Sequence, residues 1–166
     1  MDFYLRRLQD AITSATQDLS AEELARHPEG KWCTAEILEH LYLTYTGTTK
    51  GFERCVQCGT PMARSPELMD HLRKFVVIGL KHLPEGRKAP KNTVPRGMPA
   101  ERVRSQIASA IANMDAMIAE AEKKYGAETR LLDHPIIGPL RGKEWREFHW
   151  VHGQHHLKQI HRLQNE

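Results

Sequence analysis

The chain has 166 residues, of which 40% are hydrophobic and 27% are charged, and its formal net charge is +3. Such a chain is typical of one globular domain, predicted to span residues 1–166. The 24 basic residues are interspersed with 21 acidic ones, which argues against nucleic acid as a partner. The sequence contains neither an apolar run of about 20 residues nor a secretory signal, so it predicts a cytoplasmic protein that does not bind a membrane.

Helical periodicity dominates the first third of the chain, where apolar residues recur at spacings of three and four. A first helix is predicted over about residues 2–19. The segment "LSAEEL" begins a short second helix, with Ser20 as N-cap and Glu23 completing a capping box. A long helix follows, from an N-cap at Thr34 to about Val56.

The middle of the chain combines a helix with an irregular stretch. Ser65 and Pro66 predict the start of a helix that ends near Leu83. The next segment, 84–99, holds four prolines and two glycines. It is predicted to be a long surface loop, and loops of that length are usually functional or mobile.

The last third predicts two more long helices. The first runs from Ala100 to Tyr125 and is closed by Gly126. A turn-rich connector, "LLDHPIIGPLRG", leads to a final helix over about residues 143–163. We therefore expect an all-α protein, a four-helix bundle with short additional helices and a long loop around 84–99.

The final helix contains five of the ten histidines, in "HWVHGQHHLKQIHRL". His152 and His156 are four residues apart and project from the same face. At about 100° per residue, they lie in the stripe that Trp145 and Leu163 share, which faces the core. Buried imidazoles need partners, because each unmatched one costs about 1–3 kcal/mol. The possible partners of these imidazoles are backbone carbonyls, a carboxylate such as Glu36, or a metal ion.

His40 is a third candidate ligand. It lies beside the sector of Ile37 and Thr44, an inward position on its predicted helix. If two helices of a bundle meet along these faces, His40 lies opposite His152 and His156. Three histidine ligands with open positions are typical of a catalytic metal site, whereas closed structural zinc sites use four ligands.

Two segments carry a family resemblance. "LSAEELARHPEGKWCTAEILEHLYLT" resembles the N-terminal half of the DinB-like (DinB/YfiT) metal-binding four-helix bundles, and "HPIIGPLRGKEWREFHWVHGQHHLKQI" resembles their C-terminal half. The resemblance is closest to a branch of domains of unknown function and weakest over 59–99. It implies that His40, His152 and His156 bind a divalent metal, zinc or nickel, and that His155 does not. It also implies an unusual bundle connectivity and a homodimer.

The resemblance leaves the reaction open, since relatives include thiol transferases that use low-molecular-weight thiols and proteins that resemble metal-dependent hydrolases or maleylpyruvate isomerases. A dipositive ion on three neutral imidazoles activates water or a thiol, so the same ligands serve either reaction. We therefore expect a metal-dependent hydrolase or thiol transferase that acts on a small molecule. A non-catalytic metal- or small-molecule-binding bundle, or a purely structural dimerisation bundle, is the alternative.

Several side chains around the predicted site have more than one interpretation. Glu36, one turn before His40, is the candidate general base, with an ordinary first-turn acid as the alternative. His149 is predicted to be a core or rim imidazole, and a fourth ligand is the other interpretation. Trp32 and Trp145 are packing residues that also suit a pocket mouth.

The cysteines are predicted to be free thiols. The chain contains an odd number of cysteines, Cys33, Cys55 and Cys58, and the sequence has no secretory signal, so a set of disulfides is not expected. The spacing "CVQC" suits redox or zinc chemistry, but no second pair of cysteines and no βαβ pattern accompany it.

Overall fold

A computed structural model describes residues 1–84 and 88–165. Glu166 and the part of the predicted loop at 85–87 lie outside the described residues. In chain order the elements are α1 (Phe3–Thr16), α2 (Ala21–Ala25), α3 (Thr34–Cys58), α4 (Leu68–Lys74), a π-helical turn (Phe75–Gly79), a 3-10 turn (Lys91–Thr93), α5 (Ala100–Tyr125), β1 (Arg130–His134), β2 (Gly138–Arg141) and α6 (Gly142–Gln164).

The described chain is mostly helical, as predicted, and the long helices α1, α3, α5 and α6 pack against one another. Their apolar stripes form one buried cluster, because each helix carries apolar residues on the face it turns inward. Its largest fully buried apolar side chains include Leu5, Leu8, Leu38, Leu41, Phe52, Ile111 and Met114. No helix of the described ranges is long and apolar enough to cross a membrane.

Two helix starts show the local chemistry that the sequence predicts. Glu23 accepts the backbone N–H of Ser20 at 2.8 Å, and the Ser20 hydroxyl accepts the N–H of Glu23 at 3.2 Å, which confirms the capping box of α2. The N-cap of α3 is Cys33, so the prediction of Thr34 is wrong by one residue. The reason is that the Glu36 carboxylate accepts the Cys33 N–H at 2.9 Å and closes the first turn there.

The structure departs from an all-α protein in the predicted connector. β1 and β2 pair antiparallel, with Leu132 opposite Leu140 and His134 opposite Gly138. Leu140 is fully buried, so the hairpin packs its apolar side on the helices. Gly138 has φ +78°, and a Cβ there would lie 2.4 Å from the Asp70 carboxylate, so this turn requires glycine.

The helix predicted to run from Ser65 to near Leu83 is shorter and less regular. α4 is an α-helix only over Leu68–Lys74, and the π-helical turn that follows ends at Gly79. Arg64 donates to both carboxylate oxygens of Asp70 at 2.7 and 2.9 Å. Since Asp70 also lies against Gly138, this ion pair positions α4 beside the hairpin.

The three cysteines are free thiols, as predicted. Cys55 and Cys58 lie in the last turn of α3, and the Cys55 thiol donates to the carbonyl of Leu131 at 3.5 Å. Burial raises the pKa of the Cys55 thiol. This sulfur therefore contributes a contact between α3 and β1 and stays protonated at neutral pH.

Candidate metal centre

Helices α3 and α6 bring His40, His152 and His156 together, and we refer to these residues as the histidine triad. The Nε2 atom of His152 lies 3.1 Å from Nε2 of His40 and 3.1 Å from Nε2 of His156. All three side chains are buried, and their ligand nitrogens lie within 4.8 Å of one another. The triad is thus a buried group that could hold a metal ion.

Two of the three imidazoles have their other nitrogen bonded to an oxygen. His40 Nδ1 lies 2.8 Å from the backbone carbonyl of Thr93, and His156 Nδ1 lies 2.8 Å from Oε1 of Gln159. A carbonyl oxygen only accepts, so Nδ1 carries the proton in both rings and Nε2 carries a lone pair. The other end of the Gln159 amide, its NH2 group, lies 3.1 Å from Nε2 of His155, which agrees with this orientation.

A proton alone does not satisfy this arrangement. If His152 carries its proton on Nε2, its buried Nδ1 has a lone pair with no donor; if it carries the proton on Nδ1, three Nε2 lone pairs face one another. Buried unmatched groups cost about 1–3 kcal/mol each. A cation would accept all three Nε2 lone pairs at once, although Nδ1 of His152 has no partner among the described residues in either case.

The spacing of the nitrogens also fits a transition-metal ion. Zinc binds histidine nitrogen at about 2.0–2.1 Å, so two nitrogens on one tetrahedral ion lie about 3.3 Å apart. The observed separations of 3.1 Å are close to that value. These two separations therefore fit a divalent ion, and all ligand nitrogens of the triad lie within 4.8 Å of one another.

Burial keeps the triad neutral. It lowers the pKa of His156 to about 3 and that of His152 well below its usual value, and it also lowers the pKa of His40. Neighbouring imidazoles lower the values further, because a second positive charge in this small space is repelled. Protons therefore do not compete with a metal for these nitrogens at neutral pH.

The segment that supplies the Thr93 carbonyl is held by a buried carboxylate. Glu39, adjacent to His40 on α3, accepts the backbone N–H groups of Arg96, Gly97 and Met98 at 2.7, 3.0 and 2.9 Å. The side chain is 1% exposed. Glu39 thus satisfies a run of backbone donors in a proline-rich segment that forms no ladder of its own.

We expect Glu39→Gln to destabilise the protein by about 1–3 kcal/mol, because an amide leaves at least one of these partly buried N–H groups without its charged acceptor. Urea unfolding at neutral pH measures this loss. Glu53→Gln removes an exposed carboxylate from the same helix and should change stability by less than about 0.5 kcal/mol. Equal unfolding midpoints for the two variants would contradict a structural role for Glu39.

Gln159 should tune metal affinity through His156. Gln159→Met removes the acceptor at a similar side-chain volume, and loss of such a partner typically weakens metal binding about 10–100-fold. Competition with a chromophoric zinc chelator measures the change. Gln159→Glu keeps an acceptor for His156 Nδ1 and should bind zinc far more tightly than the methionine variant. The same affinity in both variants would show that the hydrogen bond has no effect.

The triad lies in the wall of a cavity of about 1380 Å³. This exceeds the range of about 300–1,000 Å³ that is usual for small-molecule sites. The walls come from α3, α6, α4 with its π-helical turn, the segment around the 3-10 turn and the tip of the hairpin. Trp32 and Trp145, for which packing and a pocket mouth were the two interpretations, are among the lining residues and also pack in or against the core.

Two other residues that the sequence singles out, Glu36 and His149, are absent from the described lining of the cavity. Glu36 is engaged as the cap of α3, with His27 Nδ1 at 3.6 Å, and it is absent from the described residues that line the cavity. His149 is fully buried between Tyr45 and Trp145, with ring centroids at 5.5 and 5.8 Å. It therefore has the surroundings of a core imidazole, and a general-base role for Glu36 stays a prediction.

The structure also places His134 in the wall of the cavity, a residue that the sequence analysis did not identify. Its Nδ1 accepts the N–H groups of Ile136 and Ile137 at 3.2 and 3.3 Å, so its proton resides on Nε2. Burial lowers its pKa to about 4, and its ring lines the cavity against Phe148, at a centroid distance of 4.1 Å. No helical periodicity could reveal it, because it lies at the end of β1.

Comparison with known proteins places the chain in a family. A family model described as a protein of unknown function (DUF1569) matches residues 1–163. The chain belongs to the DUF1569 family. No curated protein and no solved structure matches it significantly. The triad of this DUF1569 chain, with Glu39 and Gln159, lies inside the matched region.

Proposed function

We propose that this DUF1569 protein is a divalent-metal-dependent enzyme that acts on a small molecule at the histidine triad. The observation that carries the proposal is the convergence of three Nε2 atoms in the wall of a large cavity. Three protein ligands are the pattern of catalytic sites, whereas structural sites are closed by four. Imidazole donors suit zinc and nickel, and we propose one of these as the ion.

His40, His152 and His156 would hold the ion, which would supply Lewis acidity and lower the pKa of a bound water molecule or thiol. The protein holds the ligands in place. The Thr93 carbonyl orients the ring of His40, and the Gln159 amide orients that of His156. These hydrogen bonds fix the orientation of both rings, so the ligand nitrogens need not reorganise during a reaction.

Aromatic side chains keep bulk water from the ligands. Phe148 stacks on the ring of His152 at an angle of 13° and a centroid distance of 5.5 Å. Trp32 lies over His40 at 5.2 Å. Such apolar surroundings lower the local dielectric and strengthen charge interactions in the cavity.

The reaction type stays open between hydrolysis and thiol transfer, since both use the same ligands. Our proposal includes the DinB/YfiT type of four-helix bundle, supported by the mutual packing of α1, α3, α5 and α6. It also includes a homodimer in the cytoplasm, with a low-molecular-weight thiol as one candidate substrate. Nucleic acid and membranes are not among the proposed partners.

Turnover measured on protein of defined metal content tests whether the protein is a metal-dependent enzyme. Untagged protein, stripped and then loaded with zinc or nickel, is assayed for p-nitrophenyl ester hydrolysis and for transfer of cysteine to monobromobimane. We expect one of these reactions to require the metal, to stop with a chelator and to return on reloading. Absence of metal uptake would refute the proposal. Tight uptake with thermal stabilisation but no turnover across ester, amide and thiol substrates would identify a binding protein instead.

A further inference from the structure

The cavity is elongated along α3. The helix contributes Thr44, Gly47, Thr48 and Gly51 to its wall, continuing the face that carries His40 and ending at Arg54. These positions recur at spacings of three and four, so they form one stripe. At 1.5 Å per residue, the stripe from His40 to Arg54 is about 21 Å long.

Small residues make this stripe concave. A Cβ built at Gly47 meets nothing within 4 Å, so the space above it is open. Glycine inside a helix is destabilising relative to alanine. Gly47 is exposed and lines the cavity, so a glycine at this position lowers helix stability and leaves the cavity open there.

The opposite wall is apolar. α4 and the π-helical turn contribute Met69, Leu72 and Val76, and the tip of the hairpin contributes Ile136. Leu72 is 54% exposed and Met69 is 49% exposed, large values for residues that line a cavity. A ligand with an apolar body would bury this surface.

The charges of the lining are strongly biased. Among the described residues, the lining contains the cationic side chains Lys31, Arg54, Arg73, Lys88 and Arg162 and a single carboxylate, Asp133. That carboxylate accepts the backbone N–H of Arg64 at 3.2 and 3.4 Å. Arg54 donates through Nε to the carbonyl of Lys50 at 3.4 Å, and no carboxylate of the described residues forms a salt bridge with it.

We propose that the cavity binds an elongated amphipathic anion. Its apolar body lies between Gly47 of α3 and Leu72 of α4, and its carboxylate or phosphate group lies at Arg54. The charge bias selects anions, and the concave stripe with the apolar wall accommodates an unbranched chain. A reaction of the ligand's other end at the triad rests on the proposed function. Binding of the ligand in the cavity does not depend on it.

A decyl series tests this proposal by isothermal titration calorimetry below micelle-forming concentrations. The probes are decanoate, decyl phosphate, 1-decanol and decyltrimethylammonium, titrated into metal-free and metal-loaded protein. We expect both anions to bind at least about tenfold more tightly than the cation, with the alcohol between them. The ratio of decanoate to decyl phosphate distinguishes a carboxylate ligand from a phosphate ligand. Equal affinity for the anions and the cation would overturn the proposal.

Two variants locate the site. Arg54→Gln should weaken binding of decanoate about tenfold and leave 1-decanol unchanged, while Lys50→Gln, one turn earlier on α3 and outside the lining, should change neither. Gly47→Phe fills the open space and should abolish binding of all four probes while zinc still binds. Wild-type affinity for decanoate in both cavity variants would overturn the proposed position.

Failure of this inference is distinguishable from failure of the metal site. His156→Ala should lose zinc and still bind decanoate in metal-free protein. Zinc uptake without anion preference would refute the anion site alone, and anion binding without zinc uptake would refute the metal enzyme alone.

Discussion

His152→Ala should weaken zinc or nickel binding by more than about 100-fold, because loss of a residue that only orients a ligand already costs about 10–100-fold. His152 occupies the middle of the triad, with Nε2 at 3.1 Å from both neighbouring Nε2 atoms. Its removal leaves two imidazoles on different helices, too few to hold a divalent ion firmly. Competition with a zinc chelator, with metal content measured after dialysis, quantifies the loss.

The matched control is His161→Ala, which removes an exposed imidazole from the same helix. It should retain wild-type affinity, since His161 lies more than one helical turn beyond His156, the last residue of the triad. The helical circular dichroism signal of both variants should match that of the wild type, because alanine at either position preserves α6. Unchanged zinc affinity in His152→Ala would show that the triad is not the metal site.

The triad was predictable because its geometry is largely local. His152 and His156 share a helix face by spacing alone, and the periodicity around His40 indicates an inward position. The step that sequence could not supply was the meeting of α3 with α6, which required a bundle to be assumed. The family resemblance implied the same three residues, and the structure brings them together.

The group that orients His40 was not predictable, for a physical reason. The partner of His40 is a backbone carbonyl, which every residue carries, so Thr93 has no distinguishing signal. Its position depends on Glu39, 57 residues before Arg96 in sequence, which accepts the N–H groups of the segment after Thr93. Such long-range hydrogen bonds leave no periodic pattern.

The hairpin and the end of α4 could not be predicted from the sequence for a different reason. β1 and β2 contain five and four residues, and Pro139 interrupts any regular alternation, so the segment has the composition of a turn-rich loop. α4 continues as a π-helical turn at Phe75–Gly79, which apolar spacing does not distinguish from an α-helix. Tertiary contacts decide both elements.

Metal-free protein should lose stability steeply below about pH 6.5, the usual histidine pKa. Burial lowers the pKa of His134 to about 4 and the pKa values of His149 and His156 to about 3. Between these values and 6.5 the unfolded chain binds protons that the folded chain excludes, so stability falls as the pH falls. Each group contributes about 1.4 kcal/mol per pH unit, so the three contribute about 4 kcal/mol per unit.

A domain with a typical stability of about 5–15 kcal/mol therefore unfolds within a few pH units below 6. Urea unfolding from pH 7.5 to 4.5, with a chelator present, measures the slope. His149→Leu removes an imidazole for which the described residues offer no hydrogen-bond partner at either nitrogen, so the slope should fall by about 1.4 kcal/mol per pH unit. His161→Gln, which replaces an exposed imidazole of the same helix, is the matched control. Stability that stays constant between pH 6.5 and 5 would contradict the burial of these imidazoles in the neutral form.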